Sequence, residues 1–325
     1  MTLRHLRTFR AVVDCGSFSD AAKKLHLTQP AVSLHVKELE RDCGLVLLER
    51  RGRRIRLTDA GHEILRAAHG VERELKQAEE QLSALKGLRA GRLTVAVIST
   101  AQYFAPRLLS QFCGRNPGVE LHLDVCNRAN IIGHLERDDV DAAIMGRPPA
   151  ELAIACDAEP FANHPHVAIS SQQHPLARRA AIPLADFATY PFISREPGSG
   201  TRALIEELFE RRSLAFAPAM VMNSNESIKQ AVIAGMGVSF LSLHTLALEM
   251  SAGTLVPLPV AGTPIVRRWY IVHRHDRRLS PAGQAFRAYM LAEAARIMAS
   301  FVPDMLPARR ISRDTSRRRN RPPRS

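Results

Sequence analysis

Two stretches carry side chains whose types and spacing could do chemistry on a partner. The first is "LTQPAVSLHVKELE", residues 27–40. Thr28 can cap a helix with its hydroxyl, and Pro30 then falls in the first turn, where its missing N–H costs little. Val32, Val36 and Leu39 recur at i, i+4 and i+7 and make one apolar stripe. Gln29, Ser33 and Lys37 recur at i, i+4 and i+8 on another face. A helix start that donates to phosphates and shows Gln and Ser to base edges is what a major-groove reader needs. Next comes "LERRGRRIRLTDAG", residues 48–61, in which Arg51-Gly52-Arg53 reads as a hairpin tip flanked by Arg50, Arg54 and Arg56. Such a tip makes a basic wing able to grip the phosphate backbone. The same pattern also suits a small helical bundle with a solvated face.

The second stretch is "SREPGSGTR", residues 194–202, between a strand and the helix "ALIEELFERR". Gly198 and Gly200 let the backbone turn tightly and leave N–H groups free at the helix start. Ser199 and Thr201 add hydroxyls, and Arg195 and Arg202 add charge. This is the chemistry of an anion cradle, although a glycine-rich turn with a capping residue accounts for the same residues. Ser99-Thr100 and Asn127-Arg128 also follow strands, and Ser224 stands in a similar Asn-Ser-Asn turn. Taken singly, Ser99-Thr100 and Ser224 read as caps. Their convergence at strand ends favours a binding site.

These residues need elements to position them. Leu3, Leu6, Phe9 and Val13 mark a first helix, which Gly16 can end. Ser19 can cap a second, with Ala21, Ala22 and Leu25 packing closely, and His26-Leu27 turns into the reading helix, which Gly44 ends. Two helices joined by so short a turn make a helix-turn-helix. After Thr58, a candidate cap, Ile64, Ala68, Val71, Leu75, Ala78, Leu82 and Leu85 are spaced 4, 3, 4, 3, 4, 3. That is a heptad seam, suited to a second copy of the chain or to the helix's own domain. Gly87 and Gly91 loosen the chain beyond it. From Arg92, β-rich runs ("RLTVAVIS", "VELHLDV", "DAAIMG", "HVAIS", "FIS", "GVSFLS", "WYIVH") alternate with helical ones. Such alternation predicts an α/β fold with largely parallel sheets, in two lobes, with ligands beyond the carboxyl ends of the strands.

Bulk properties narrow the class. The 325 residues carry a net charge of +13. Residues 1–58 hold 12 Lys/Arg against 6 Asp/Glu, residues 309–325 hold 8 Arg against 1 Asp, and the stretch between is neutral. A compact basic N-terminal module is the footprint of a nucleic-acid binder. The arginine-rich end, "ARRISRDTSRRRNRPPRS", reads as disordered, either a solvated extension or an added non-specific contact to DNA. Five scattered cysteines without a Cys-x-x-Cys pair predict a reduced, cytoplasmic protein. No 18-residue apolar run predicts a membrane span, and "MTLRHLRTFR" has no signal-peptide h-region. No catalytic residue is assigned. Gly198-Ser199-Gly200 is not a nucleophile elbow, and neither a Walker motif nor a dinucleotide fingerprint is present. His164-x-His166 and His273-x-His275 lack an evident third ligand and read as surface histidines, so neither metal nor cofactor is assigned.

The stretch "SFSDAAKKLHLTQPAVSLHVKELE" resembles the winged helix-turn-helix of LysR-type transcriptional regulators. The match runs through Ala21-Ala22, Leu25, Thr28 to Ser33, Leu39-Glu40, Gly44 and Glu49-Arg50. It departs at Leu34 and Leu48, where many members carry a polar residue and Phe, and Leu34 could meet a thymine methyl. The resemblance implies a winged helix-turn-helix at 1–58, a linker and dimerisation helix at 59–90 and an effector domain at 91–303. That effector domain is a two-lobed, periplasmic-binding-protein-like (type II) α/β fold, divided roughly into 91–161 plus 267–303 and 162–266. It leaves 304–325 as the tail. Thr28, Gln29, Pro30, Ser33, Leu34, Lys37, Arg50, Arg51, Arg53 and Arg54 are then the expected DNA contacts. Ser99, Thr100, Asn127, Arg128, Arg195, Gly198, Ser199, Gly200, Thr201, Arg202 and Ser224 are the expected effector contacts.

"ISTAQYFAPRLL", "IMGRPP", "REPGSGTRALIE", "SNESIKQAVIAGMGVSFLSLHTL" and "AGTPIVRRWYIVHR" look more narrowly like the CbbR group, regulators of Calvin-cycle (RuBisCO) operons. That group implies an activator of carbon-fixation genes that answers to ribulose bisphosphate, phosphoenolpyruvate or NADPH. The implied partners are promoter DNA, other copies in a dimer or tetramer, and RNA polymerase. A LysR-type regulator of another metabolic operon is the alternative, and a solute-binding protein a distant one.

Overall fold

The computed structural model describes residues 1–51, 54–85, 91–149, 152 and 154–300. The expected hairpin-tip residues Gly52 and Arg53, the end of the linker and the arginine-rich tail lie outside the described residues, as do the side chains of Arg50, Arg51 and Arg54.

The N-terminal module is built from α1 (Leu3–Cys15), α2 (Phe18–Leu25) and α3 (Gln29–Cys43), followed by the strands β1 (Leu48–Arg51) and β2 (Arg54–Leu57). Gly16 closes α1 and Gly44 closes α3, each in the left-handed conformation that glycine adopts at low cost. Ser17, not Ser19, caps α2: its Oγ accepts from the Asp20 N–H at 3.3 Å. The chain enters that helix two residues earlier than the apolar pattern suggests. Leu6, Phe9, Leu39 and Leu47 form one core, and Ala11, Val12, Ala21, Ala22, Val32 and Val36 form another. The Glu40 carboxylate accepts from the Leu47 and Leu48 N–H groups at 2.8 and 3.3 Å, which fixes the wing to the end of the reading helix.

The long helix α4 (Asp59–Leu85) is capped by Thr58, whose Oγ1 accepts from the Gly61 N–H at 3.0 Å. Gly61 sits where an added Cβ would lie 2.2 Å from the Leu47 carbonyl oxygen, so only glycine lets α4 approach this closely. The seam divides along its length. Ala68 is buried in the N-terminal core with Ile64 beside it, whereas Val71, Leu75 and Leu82 are exposed.

The effector domain follows in chain order: β3 (Gly91–Ile98), α5 (Ala105–Arg115), β4 (Val119–Cys126), α6 (Arg128–Arg137), β5 (Ala142–Met145), β6 (Cys156–Ser171), α7 (Leu184–Phe187), β7 (Phe192–Arg195), α8 (Gly200–Glu210), β8 (Met220–Met222), α9 (Asn225–Ile233), β9 (Val238–Ser242), α10 (Ala247–Ser251), β10 (Leu255–Leu258), β11 (Ile265–Arg274) and α11 (Pro281–Ala299). Short 3₁₀ turns at Ala101–Tyr103 and Leu243–Thr245 face one another.

Nine strands make one continuous sheet in the order β4-β3-β5-β11-β6-β9-β7-β8, with β10 beside β6. The expectation of largely parallel sheets is corrected here. β3 pairs in parallel with β4 and β5, and β7 with β8 and β9, whereas the four pairings made by β6 with β9, β10 and β11 and by β11 with β5 are antiparallel. The cause is that β6 carries the chain from one parallel cluster to the other and β11 carries it back. Each cluster has helices on both faces. In the first lobe, Leu93, Val95 and Val97 pack with Phe286 and Met290, and Ala96 and Ala143 pack with Ile131 and Leu135. The second repeats this around Phe240 and Ile205 on one face and Leu241 and Ile228 on the other. Among the described residues no helix is long and apolar enough to cross a membrane.

Candidate functional site

The start of the reading helix is held as its sequence suggests. Thr28 caps α3, accepting from the Ala31 N–H at 3.4 Å, and Pro30 lies in the first turn. Thr28, Gln29, Pro30, Leu34 and Lys37 are exposed on the side away from the buried Val32, Val36 and Leu39, and Ser33 is half-buried. Gln29 Nε2 donates to Ser33 Oγ at 2.9 Å, so the two polar side chains are already joined on the presented face. Leu34 is 55% exposed beside them, an apolar group with no intramolecular reason to face water.

The second site forms where two sets of parallel strands end. β3 leads to Ser99 and Thr100, and β4 leads to Asn127 and Arg128. In the other lobe β7 leads to Ser194, Arg195 and the glycine loop, and β8 leads to Ser224 and Asn225. Gly198 takes φ +83°, the left-handed turn that starts the loop, and Ser199 stands at the N-cap of α8 without a side-chain cap bond. The first N–H groups of α8 are therefore free of a side-chain acceptor, and they carry the positive end of the helix dipole. Thr201 is buried at this start, and Ser199 is half-buried. Across the cleft, Arg128 reaches the same loop: a Cβ on Gly200 would lie 3.9 Å from Arg128 Nη1. Arg128 Nη2 donates to the Arg147 carbonyl at 2.8 Å, and burial weakens the guanidinium's hold on its proton. No described carboxylate lies within ion-pair distance of it. A half-buried cation with a carbonyl as its partner, facing an uncapped helix start, is an arrangement that can accept an anion.

The remaining expected contacts fall into place differently. Thr100 is buried and Ser99 half-buried at the end of β3. Asn127 caps α6, accepting from the Asn130 N–H at 2.9 Å, and Ser224 caps α9, accepting from the Ser227 N–H at 3.3 Å. Both therefore position helix starts. Arg195 and Arg202, expected as ligand contacts, each already have a carboxylate partner. Arg195 is buried with its Nε and Nη2 on the Glu196 carboxylate, at 2.7 and 2.9 Å, and its Nη1 on Asn225 Oδ1 at 2.5 Å. Arg202 donates to Glu206 at 2.7 Å and lies over the Phe216 ring. Both guanidiniums are thus already paired with carboxylates.

Two buried polar groups at the same strand ends lie in stretches the sequence singled out but were not among the expected contacts: Ser194 Oγ and Asn225 Nδ2 have no hydrogen-bond partner. Ser194 opens the singled-out stretch 194–202, but nothing in its spacing marks its hydroxyl as unpartnered. Asn225 stands in the Asn-Ser-Asn turn already singled out, and its contact with Arg195 appears only in the fold.

The histidine pairs also differ from expectation. His164 and His166, read as surface residues, are buried on the crossing strand β6, and His273 is buried on β11; His275 is exposed. The His164 ring stacks on Trp269 with centroids 3.7 Å apart, and its Nε2 lies 3.0 Å from Ser242 Oγ. Apolar neighbours on two strands make the pocket that their polar names conceal.

Comparison with known proteins bears on both sites. A model described as "Bacterial regulatory helix-turn-helix protein, lysR family" matches residues 3–62, and one described as "LysR substrate binding domain" matches residues 86–295. The HTH-type transcriptional regulator CfxR of Cupriavidus necator is 44% identical over 312 residues, 96% of this chain and 98% of its own. The RuBisCO operon transcriptional regulator of Allochromatium vinosum is 45% identical over 297 residues, 91% of this chain and 98% of its own. Among solved structures, the regulatory domain of CcmR from Synechocystis PCC6803, in complex with 2-PG, superposes with a TM-score of 0.59 at 38% identity. That match covers 66% of this chain and 99% of CcmR's.

Proposed function

The chain belongs to the LysR family of DNA-binding transcriptional regulators, and from that premise we propose that it controls carbon-fixation genes in answer to a small phosphorylated metabolite. The observation that carries the effector class is the uncapped start of α8 facing the half-buried Arg128 across the cleft. A phosphate there accepts from the first N–H groups of α8 and from Thr201 and Ser199, and pairs with Arg128. Ser99 and Thr100 take the other end of the metabolite. Gly198 and Gly200 keep the loop free of side chains, while Arg195, Arg202, Asn127 and Ser224 hold its walls. The names of the relatives support the RuBisCO-operon target, and the 2-PG in CcmR supports a small phosphorylated ligand.

LysR regulators bind DNA and small effectors and act as oligomers. Here the exposed Val71, Leu75 and Leu82 of α4 supply a stripe for a second copy. Two reading helices then address two half-sites, with Gln29, Ser33, Leu34 and Lys37 at base edges and the wing arginines on phosphates. Closure of the two lobes on the metabolite shifts the population of assemblies and with it the spacing of the reading helices along promoter DNA, where RNA polymerase is met. The site of action is the cytoplasm.

Calorimetric titration of the full chain with 2-phosphoglycolate, ribulose bisphosphate and phosphoenolpyruvate tests the cleft. Arg128→Ala removes one charge-assisted contact, about 1.5–3 kcal/mol, or roughly a 10- to 150-fold weaker Kd. Thr201→Val leaves the shape and removes the hydroxyl. Unchanged affinity in both variants would overturn the assignment.

A further inference from the structure

We propose that the first lobe carries a site for a borderline-soft divalent metal ion of the zinc type, held by Asp124, Cys126 and His134. Asp124 and Cys126 are two residues apart on β4, so both side chains leave the strand on the face covered by α6. Cys126 packs there with Ile131 and Leu135, and His134 rises from the same helix. One ligand atom from each of the three lies within 4.8 Å of the other two. A tetrahedral ion with bonds of about 2.0–2.3 Å needs ligand atoms roughly 3.3–3.8 Å apart, so small side-chain rotations close the shell. Thiolate, imidazole and carboxylate together select zinc over the hard cations magnesium and calcium, which take oxygen ligands. Water fills the fourth position.

A second observation points the same way. His134 uses its two ring nitrogens in different directions: Nε2 faces Asp124 Oδ2 at 2.9 Å, and Nδ1 faces Asp139 Oδ2 at 3.4 Å. An imidazole whose far nitrogen meets a carboxylate is the usual support for a metal-bound histidine, fixing its tautomer and orientation. Asp139 is itself anchored by Arg137 Nε at 2.8 Å, and Arg137 Nη2 lies 3.2 Å from His134 Nδ1. Without metal, the Nε2–H donates to Asp124 and Nδ1 accepts from Arg137. Metal at Nε2 displaces that proton, and the Nδ1–H then donates to Asp139. Metal uptake therefore moves the imidazole proton from Nε2 to Nδ1 and releases one proton, from the Cys126 thiol. Asp139 also reaches the linker helix, with its Oδ1 3.7 Å from His69 Nδ1. Loading the site thus braces the carboxylate that touches α4. Sequence spacing hides this set because the strand and the helix meet only in the folded lobe.

The test uses the full chain, without an affinity tag of histidines, stripped of metal and titrated with cobalt(II). The expected result is one cobalt per chain with a thiolate-to-cobalt charge-transfer band, displaced by zinc. Cys126→Ser abolishes the band, while Cys156→Ser, at another half-buried thiol, keeps it. Asp139→Asn weakens binding roughly 10- to 100-fold through the histidine's orientation. Circular dichroism and gel shift on promoter DNA confirm that the variants fold. No cobalt band in the native chain, or a band that persists in Cys126→Ser, overturns the proposal.

Discussion

Lowering the pH below 6.5 should destabilise the effector domain through three buried histidines at the crossing strands. His166 donates from Nδ1 to the His164 carbonyl, at 3.2 Å, and stacks on Phe240. His244 lies between Phe104 and Trp269, and its Nδ1 has no partner. Among the described residues no carboxylate is in ion-pair range of His164, His166 or His244; the nearby charge is Arg267, which disfavours a proton further. Burial holds His164 well below its ordinary value of 6.5, His166 at about 3 and His244 at about 4. The unfolded chain, whose histidines titrate near 6.5, therefore binds more protons, and stability rises with pH. The contribution is complete above 6.5 and is lost as the pH falls toward the folded values. Each proton costs about 1.4 kcal/mol per pH unit, so at about pH 5 His166 and His244 together remove about 4 kcal/mol. A whole domain has roughly 5–15 kcal/mol to lose. Carboxylates titrate lower, which leaves this window to the histidines. Urea unfolding between about pH 7.5 and pH 5 measures the slope, and His166→Gln and His244→Gln should each reduce it by about one proton. A flat profile, or variants with the native slope, would refute the reasoning.

Three further perturbations follow from particular contacts. Gly61→Ala drives a methyl into the Leu47 carbonyl and should cost about 1–3 kcal/mol of N-terminal-domain stability, read from urea unfolding, with loss of DNA binding. Leu75→Glu, on the exposed stripe of α4, should leave the fold intact and lower the oligomeric state seen by sedimentation. Glu249→Gln weakens the 2.7 Å contact to the buried Lys229, whose other carboxylate is Glu226 at 2.8 Å, and should cost about 1.5–3 kcal/mol of thermal stability.

The parts of the fold written in local spacing were legible before the structure. Thr28, Pro30, Gly16, Gly44 and Thr58 announce helix ends by chemistry that acts within four residues, and each stands where that chemistry puts it. Family membership was equally legible, because the reading helix and wing carry it in a contiguous stretch. What depends on distant strands was not. The antiparallel run of β6 and β11 has no periodic signature, and His164 and His166 look like surface residues until Trp269 and Phe240 arrive from elsewhere in the chain. The cleft lies in between. Gly198 to Thr201 were found as a loop of the right composition, yet the arginines beside them were read as ligands for an anion. The i, i+4 pair Arg202–Glu206 and the adjacent Arg195–Glu196 were already visible as sequence, and both ion pairs form in the fold.

A gel shift of the full chain on a RuBisCO-operon promoter from its own host, with and without 2-phosphoglycolate, bears most directly on a metabolite-responsive reader of carbon-fixation promoters. The expected result is a complex that outcompetes random DNA at physiological salt and changes in affinity or mobility when the metabolite is added. Equal binding to promoter and random DNA, or a specific complex that no phosphorylated metabolite alters, would contradict it.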